Sequence, residues 1–123
     1  ALGEYLKSLL AVQELPVKTA LPAHRTAGSI PLAARAEELI NHHQRRIEEL
    51  SAIVRGWPGL TCYEVAARMK WSIRAASWDD FPPSQKYFAV CECMAHLQHM
   101  CCSGLAERRT DANSVMRYYA KGK

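Results

Sequence analysis

The chain has 123 residues, 49% apolar and 23% charged, with a net charge of +4 from 16 basic and 12 acidic side chains. That is the balance of a globular domain, and it excludes disordered, collagenous and long coiled-coil classes. No apolar run approaches the ~20 residues that cross a bilayer, and the mild positive charge permits an anionic partner without demanding one.

Residues 2–15 carry Leu2, Leu6, Leu9, Leu10 and Leu15 near helical period, which predicts a helix that Pro16 stops. Val17 to Leu21 reads as a short strand and residues 22–29 as a loop. Ser29 is placed to cap a second helix, with Pro31 in its first turn, running to about Arg55. Ala36, Ile40, His43, Ile47, Leu50 and Val54 form one seam along it, and Gly56 closes it before a turn at residues 57–59.

Thr61 and Glu64 have capping-box spacing, so a short helix is expected from there to about Met69. Residues 70–83 read as irregular. A further helix is predicted over 84–103, burying Tyr87, Val90, Cys91, Met94, Leu97 and Cys101, with Gly104 as a left-handed cap. Two strands, 105–110 and 115–120, flank a turn at 111–114. Helix, helix, helix and hairpin is the order of a winged helix-turn-helix. The fold class expected is mainly α, with that domain over 31–123. Residues 1–30 cannot close a core of their own.

Five cysteines, an odd number, exclude a complete disulfide framework, and no pair among Cys62, Cys91, Cys93, Cys101 and Cys102 has C-x2-C zinc spacing. Reduced thiols in a cytoplasmic compartment are the expectation. Ala1 falls inside a helical pattern with no initiator Met, so the chain is expected to be a piece of a longer protein.

The first part, with Tyr5-Leu6-Lys7-Ser8-Leu9 on a helix and Leu21-Pro22-Ala23-His24 after a strand, resembles the end of a metallo-β-lactamase-fold hydrolase domain. The second resembles the winged-helix domain appended to one branch of that superfamily. Its marks are His42-His43-x-x-Arg46, then Thr61-x-Tyr63-Glu64, then Glu92-x-x-x-His96-Leu97-x-x-Met100-x-x-x-Gly104. The resemblance implies a zinc-dependent hydrolase as parent, with residues 1–30 a remnant of its catalytic domain. It also implies that His24 is the last metal ligand of the intact enzyme. The family usually has Gly after this His, and here it is Arg25. The His-x-His-x-Asp-His run is missing, and a catalytic zinc takes about three protein ligands. One imidazole cannot supply them. The chain alone is therefore expected to be inactive, without zinc or catalytic residues. Its expected role is to shape substrate access or to dimerise the hydrolase. The missing N-terminal hydrolase domain is the expected partner.

Other residues invite chemistry. His42 and His43 are neighbours on a helix and diverge, so a core role suits His43, while His42 can pair with Glu38 or Arg46. His96 and His99 could face one metal, but Glu92 four residues before His96 favours a helical ion pair or hydrogen bond. The cysteines read as small buried apolar groups, and Trp57, Tyr63, Trp71, Trp78 and Phe81 as core. Helix 84–103 has no net formal charge and is too apolar to read a DNA groove. The hairpin is more basic: Arg108, Arg109, Arg117 and Lys121 could hold phosphates, which keeps a nucleic-acid partner as a weak alternative beside solvated surface charge. The Leu2–Leu10 stripe, lacking its sheet, favours pairing with a second chain.

Overall fold

The computed structural model describes residues 2–15, 31–72 and 75–121. The expected strand at 17–21, the 22–29 loop, the Ser29 cap and the 30/31 domain boundary lie outside these residues. Two compact units are distinguished, Ala1–Arg45 and Arg46–Lys123.

In the first unit, α1 spans Leu2–Gln13, with Glu4 in its first turn, where a carboxylate complements the helix dipole. Leu2 and Leu9 are buried and Leu6 is half-buried, while Leu10 and Leu15 are exposed. The leucine stripe is thus largely covered. Helix α2, Leu32–Gly56, begins right after Pro31, whose carbonyl accepts the Arg35 N–H at 3.0 Å. Within this unit Ala36 is buried, and Ile40 and His43 are half-buried.

The second unit holds the main core. The end of α2 contributes Ile47, Leu50, Ile53 and Val54, so the expected seam is real and deepest here. The chain leaves α2 through a turn whose positive φ falls at Gly59 (90°) and not at Gly56. Helix α3, Cys62–Arg68, starts on the expected capping box. The Glu64 N–H donates to Thr61 Oγ1 at 3.2 Å, and the Thr61 N–H donates to Glu64 Oε1 at 2.9 Å. Val65, Ala66 and Met69 enter the core. Within the stretch read as irregular, Trp78–Asp80 forms one 3₁₀ turn.

Helix α4, Pro83–Cys102, has proline in its first turn, where a missing N–H costs nothing. Its end is a Schellman motif. Gly104 takes φ 78°, its N–H reaches Cys101 O, and the Leu105 N–H reaches Met100 O at 2.8 Å. Strands β1 (Ala106–Thr110) and β2 (Met116–Ala120) pair antiparallel, Ala106 opposite Ala120 and Thr110 opposite Met116. A bridge joins Leu60 to Tyr118, through Gly59 N–H to Tyr118 O and Tyr118 N–H to Leu60 O, both 2.9 Å. The hairpin is thereby fastened to the segment before α3. The fold is mainly helical with one two-stranded sheet.

One polar cluster organises this unit. Arg46 Nη1 donates to Glu49 Oε1 at 2.9 Å and to Lys70 O at 2.6 Å, while the Lys70 N–H donates to Glu49 Oε2 at 2.6 Å. Arg46 Nε lies 3.3 Å from Glu92 Oε2 of α4, an ion contact without hydrogen-bond alignment. The guanidinium also sits 4.5 Å above the Trp71 ring, whose Nε1–H donates to Ala66 O at 2.8 Å. The Arg46 side chain is only 14% exposed. Arg46→Ala is expected to cost about 2 kcal/mol, because it leaves two carboxylates and a carbonyl without their cation. Arg46→Lys should recover less than half of that, since an ammonium lacks the planar fork. Denaturant unfolding measures both, and a lysine variant as stable as the parent would refute this role.

Candidate interaction surface

Helix α4 buries a face that coincides only in part with the one its sequence suggested. Ala89, Cys93, His96, Leu97 and Met100 point into the core, with Val90 and Cys101 packed at its edge. Tyr87 and Phe88 are 66% and 64% exposed, Met94 is 50% exposed, and Cys91 is also outside. Apolar side chains occur all round this helix, so periodicity did not single out one stripe. Packing against α3 and β1 chose the small and flexible residues, Ala89, Cys93 and Met100. The outer residues form their own strip at i, i+4 and i+7: Tyr87, Cys91 and Met94. Phe88 stands beside it, its ring 5.8 Å from that of Tyr87 in a T-shaped pair.

The aromatic residues assigned to the core divide. Trp71, Trp78 and Phe81 are half-buried, whereas Trp57 and Tyr63 are exposed. Each exposed ring has a neighbour: the Arg68 guanidinium lies 5.2 Å from Trp57, and Tyr63 meets Trp78 at 5.5 Å. Trp78 also packs on Phe81 at 5.0 Å. The cysteines divide likewise. Cys93 is buried, Cys62 and Cys101 are half-buried, and Cys91 and Cys102 are exposed, which corrects the reading of Cys91 and Cys102 as buried.

The histidines fall into separate settings. His24 lies outside the described residues. His43 is half-buried, edge-on to Tyr5 at 5.6 Å and to His42 at 5.2 Å. His96 is 1% exposed, and its Nδ1 sits 2.8 Å from the backbone carbonyl of Glu92. The Glu92–His96 pairing is therefore through the peptide, and the Glu92 carboxylate turns to Arg46 instead. That His96 is the buried polar residue of the core was missed in the sequence. The (i, i+4) spacing to Glu92 was the available signal, assigned there to the wrong oxygen. Among the described residues, no three His, Cys, Asp or Glu side chains converge to hold a metal ion.

The hairpin arginines are partly committed. Arg117 donates from Nε to Asp111 Oδ2 and from Nη1 to Gly59 O, both at 2.8 Å. Arg109 lies 4.4 Å over the Tyr119 ring and 3.4 Å from Glu107. Arg108 and Lys121 are exposed. Asp111 shapes the turn as well: its Oδ1 accepts the Asn113 and Val115 N–H groups at 2.8 and 3.0 Å. The Arg117 guanidinium, then the Val115 amide, hold the Asp111 carboxyl below the ordinary carboxylate range. Hydrogen bonds from Thr61, backbone first, do the same for Glu64.

Residues 79–121 match the family model described as metallo-beta-lactamase-like, C-terminal domain. Among solved structures, the chain is similar to a beta-lactamase domain protein from Burkholderia ambifaria, with a TM-score of 0.76 and 24% identity. The likeness covers 97% of this chain and 33% of that one, so this chain spans about a third of the other's length. No curated protein matches the sequence significantly. Together these findings support the resemblance read from the residues, a C-terminal part of a metallo-β-lactamase-fold protein. Among the described residues no helix is long and apolar enough to cross a membrane.

Two outcomes follow. Leu97→Ala should cost about 3 kcal/mol by leaving a cavity, and Met94→Ala less than about 0.5 kcal/mol, as read from urea midpoints; equal costs would mean that α4 is seated otherwise. For the hairpin, a carboxyl whose pKa is depressed by folding adds stability above its ordinary value of ~4 and loses it as the pH falls through the folded value. Asp111→Asn should therefore lower the melting temperature at neutral pH, and its gap to the parent should close on acidification below about pH 4. Melting curves across pH test this, and a gap that stays constant refutes it.

Proposed function

We propose, starting from a chain whose last third is a metallo-beta-lactamase-like C-terminal domain, that it is the accessory winged-helix region of a metal-dependent hydrolase. The observation that carries this reading is the fold likeness, which takes in nearly all of this chain and a third of a beta-lactamase domain protein. The element order supports a winged helix: α2, a bridging residue at Leu60, α3, α4, then β1 and β2 as the wing. In a three-stranded wing the strand between the first two helices pairs with the last one, and Leu60–Tyr118 stands in that place. The winged helix would run over 31–123, with residues 1–30 a remnant of the hydrolase domain.

The role is binding and shaping, with no catalytic residue of its own. A metal would supply an activated water in the intact enzyme. His24 is this chain's one assigned donor, by resemblance only. The outer strip of α4 is the surface that suits contact with the hydrolase domain, guarding substrate access, or with a second subunit. Exposed tyrosine, phenylalanine and methionine are what protein interfaces favour. The nucleic-acid alternative has less behind it, because Arg109 and Arg117 already have partners inside the hairpin. Five free cysteines suit a reducing, cytoplasmic setting.

The chain is expected to show no zinc-dependent turnover of ester, thioester or phosphodiester substrates. The coding sequence upstream of Ala1 is expected to contain a His-x-His-x-Asp-His run, and the protein extended by it is expected to hydrolyse. Turnover by residues 1–123 with zinc, or an upstream sequence without that run, refutes the reading.

A further inference from the structure

Two thiols meet where α3 packs on α4. Cys62 Sγ donates to Val90 O at 3.7 Å, and Cys93 Sγ donates to the Cys62 carbonyl at 3.7 Å. Val90 lies one turn before Cys93, so both contacts bring the sulfurs to the same turn of α4. The Cys93 thiol holds Cys62 below the usual thiol range against the effect of burial, while the Cys62 side chain, and then burial, push Cys93 up. Exposure differs in the same sense. Cys62 is half-buried, whereas Cys93 is 0% exposed. A partly exposed, more acidic thiol against a second, shielded one is the arrangement found at oxidation-sensitive sites.

We propose that Cys62 and Cys93 form a hydroperoxide-responsive pair that closes to a disulfide between the first turn of α3 and the middle of α4. The Cys62 thiolate attacks a peroxide oxygen. A sulfur–oxygen bond forms, the oxygen–oxygen bond breaks, and the leaving hydroxide (or alkoxide) takes a proton. Cys62 is then a sulfenic acid. The Cys93 sulfur attacks the Cys62 sulfur, the sulfur–sulfur bond forms, and the hydroxyl departs with the Cys93 proton as water. Two thiols are oxidised and one hydroperoxide is reduced to water and an alcohol or a second water. Cys93 serves as the resolving thiol, held by the core beside the first turn of α3. The bond would close the loop 62–93, which includes Trp71 and Trp78, and fix α3 on α4.

The test uses the full chain carrying Cys91→Ser, Cys101→Ser and Cys102→Ser, which leaves only the two thiols concerned. After hydrogen peroxide treatment under native conditions, the intact mass is expected to fall by two hydrogens. Both cysteines should resist alkylation, dithiothreitol should restore both, and no disulfide should link separate chains. In the added Cys93→Ser variant, dimedone should capture Cys62 as its sulfenic acid. Persistent free thiols in the folded protein, dimedone capture of Cys62 while Cys93 is present and reactive, or oxidation that only joins separate chains would each overturn the proposal. The triple variant leaves the buried cysteine in place, so a folding failure of Cys93→Ser does not blunt the test.

Discussion

The second unit depends on one guanidinium. The chain between α3 and α4 has little regular structure, so its backbone polar groups need partners from elsewhere. At Lys70 both are supplied by neighbouring turns of α2: Arg46 takes the carbonyl and Glu49 takes the N–H. A half-buried arginine is costly unless its charge is answered, and Glu49, Glu92 and the Trp71 face answer it. Because Glu92 belongs to α4, the cation that pins the loop also contacts the helix whose orientation decides which residues are core and which are surface.

This explains where the sequence could be read and where it could not. Local signals were legible because each is satisfied by a few adjacent residues: the Thr61–Glu64 capping box, the Gly104 left-handed cap, and the α2 seam from Ile47 to Val54. The buried side of α4 was not. With Tyr87, Val90, Cys91, Met94, Leu97 and Cys101 on one stripe and Ala89, Cys93, His96 and Met100 on another, apolarity alone favours the stripe with the larger side chains. The protein buries Ala89, Cys93, His96 and Met100 together with Leu97 and leaves Tyr87, Cys91 and Met94 outside, because the space between α2, α3 and β1 takes small residues and the polar His96 can satisfy its Nδ1 on the Glu92 carbonyl. A long-range ion contact, Arg46 to Glu92, supports that choice, and no spacing rule reveals a partner 46 residues away.

The candidate surface was legible only in outline. Counting charge marks the hairpin as basic, but it does not disclose that Asp111 and the Gly59 carbonyl both engage Arg117, or that Arg109 lies on Tyr119. A guanidinium held on both edges has fewer donors left for a phosphate. Arg109 and Arg117 therefore serve first to hold the hairpin's shape. Conversely, Tyr87 and Met94, assigned to the core, are available on the outside, with Phe88 beside them.

The two surfaces differ in what they can contribute to binding. Covering an aromatic or methionine side chain removes apolar area worth roughly 1.5–3 kcal/mol each, with little sensitivity to salt. Exposed cations such as Arg108 and Lys121 contribute chiefly through counterion release, which fades as ionic strength rises. The α4 strip lies on the side of the helix away from Cys93, Leu97 and Met100, so a partner can cover it without disturbing the packed interior. A helix with one face in the core and a second apolar face outside suits a module that closes its own interior and then docks onto another protein surface. Of the two surfaces, outer α4 suits such a docking role better than the basic hairpin does.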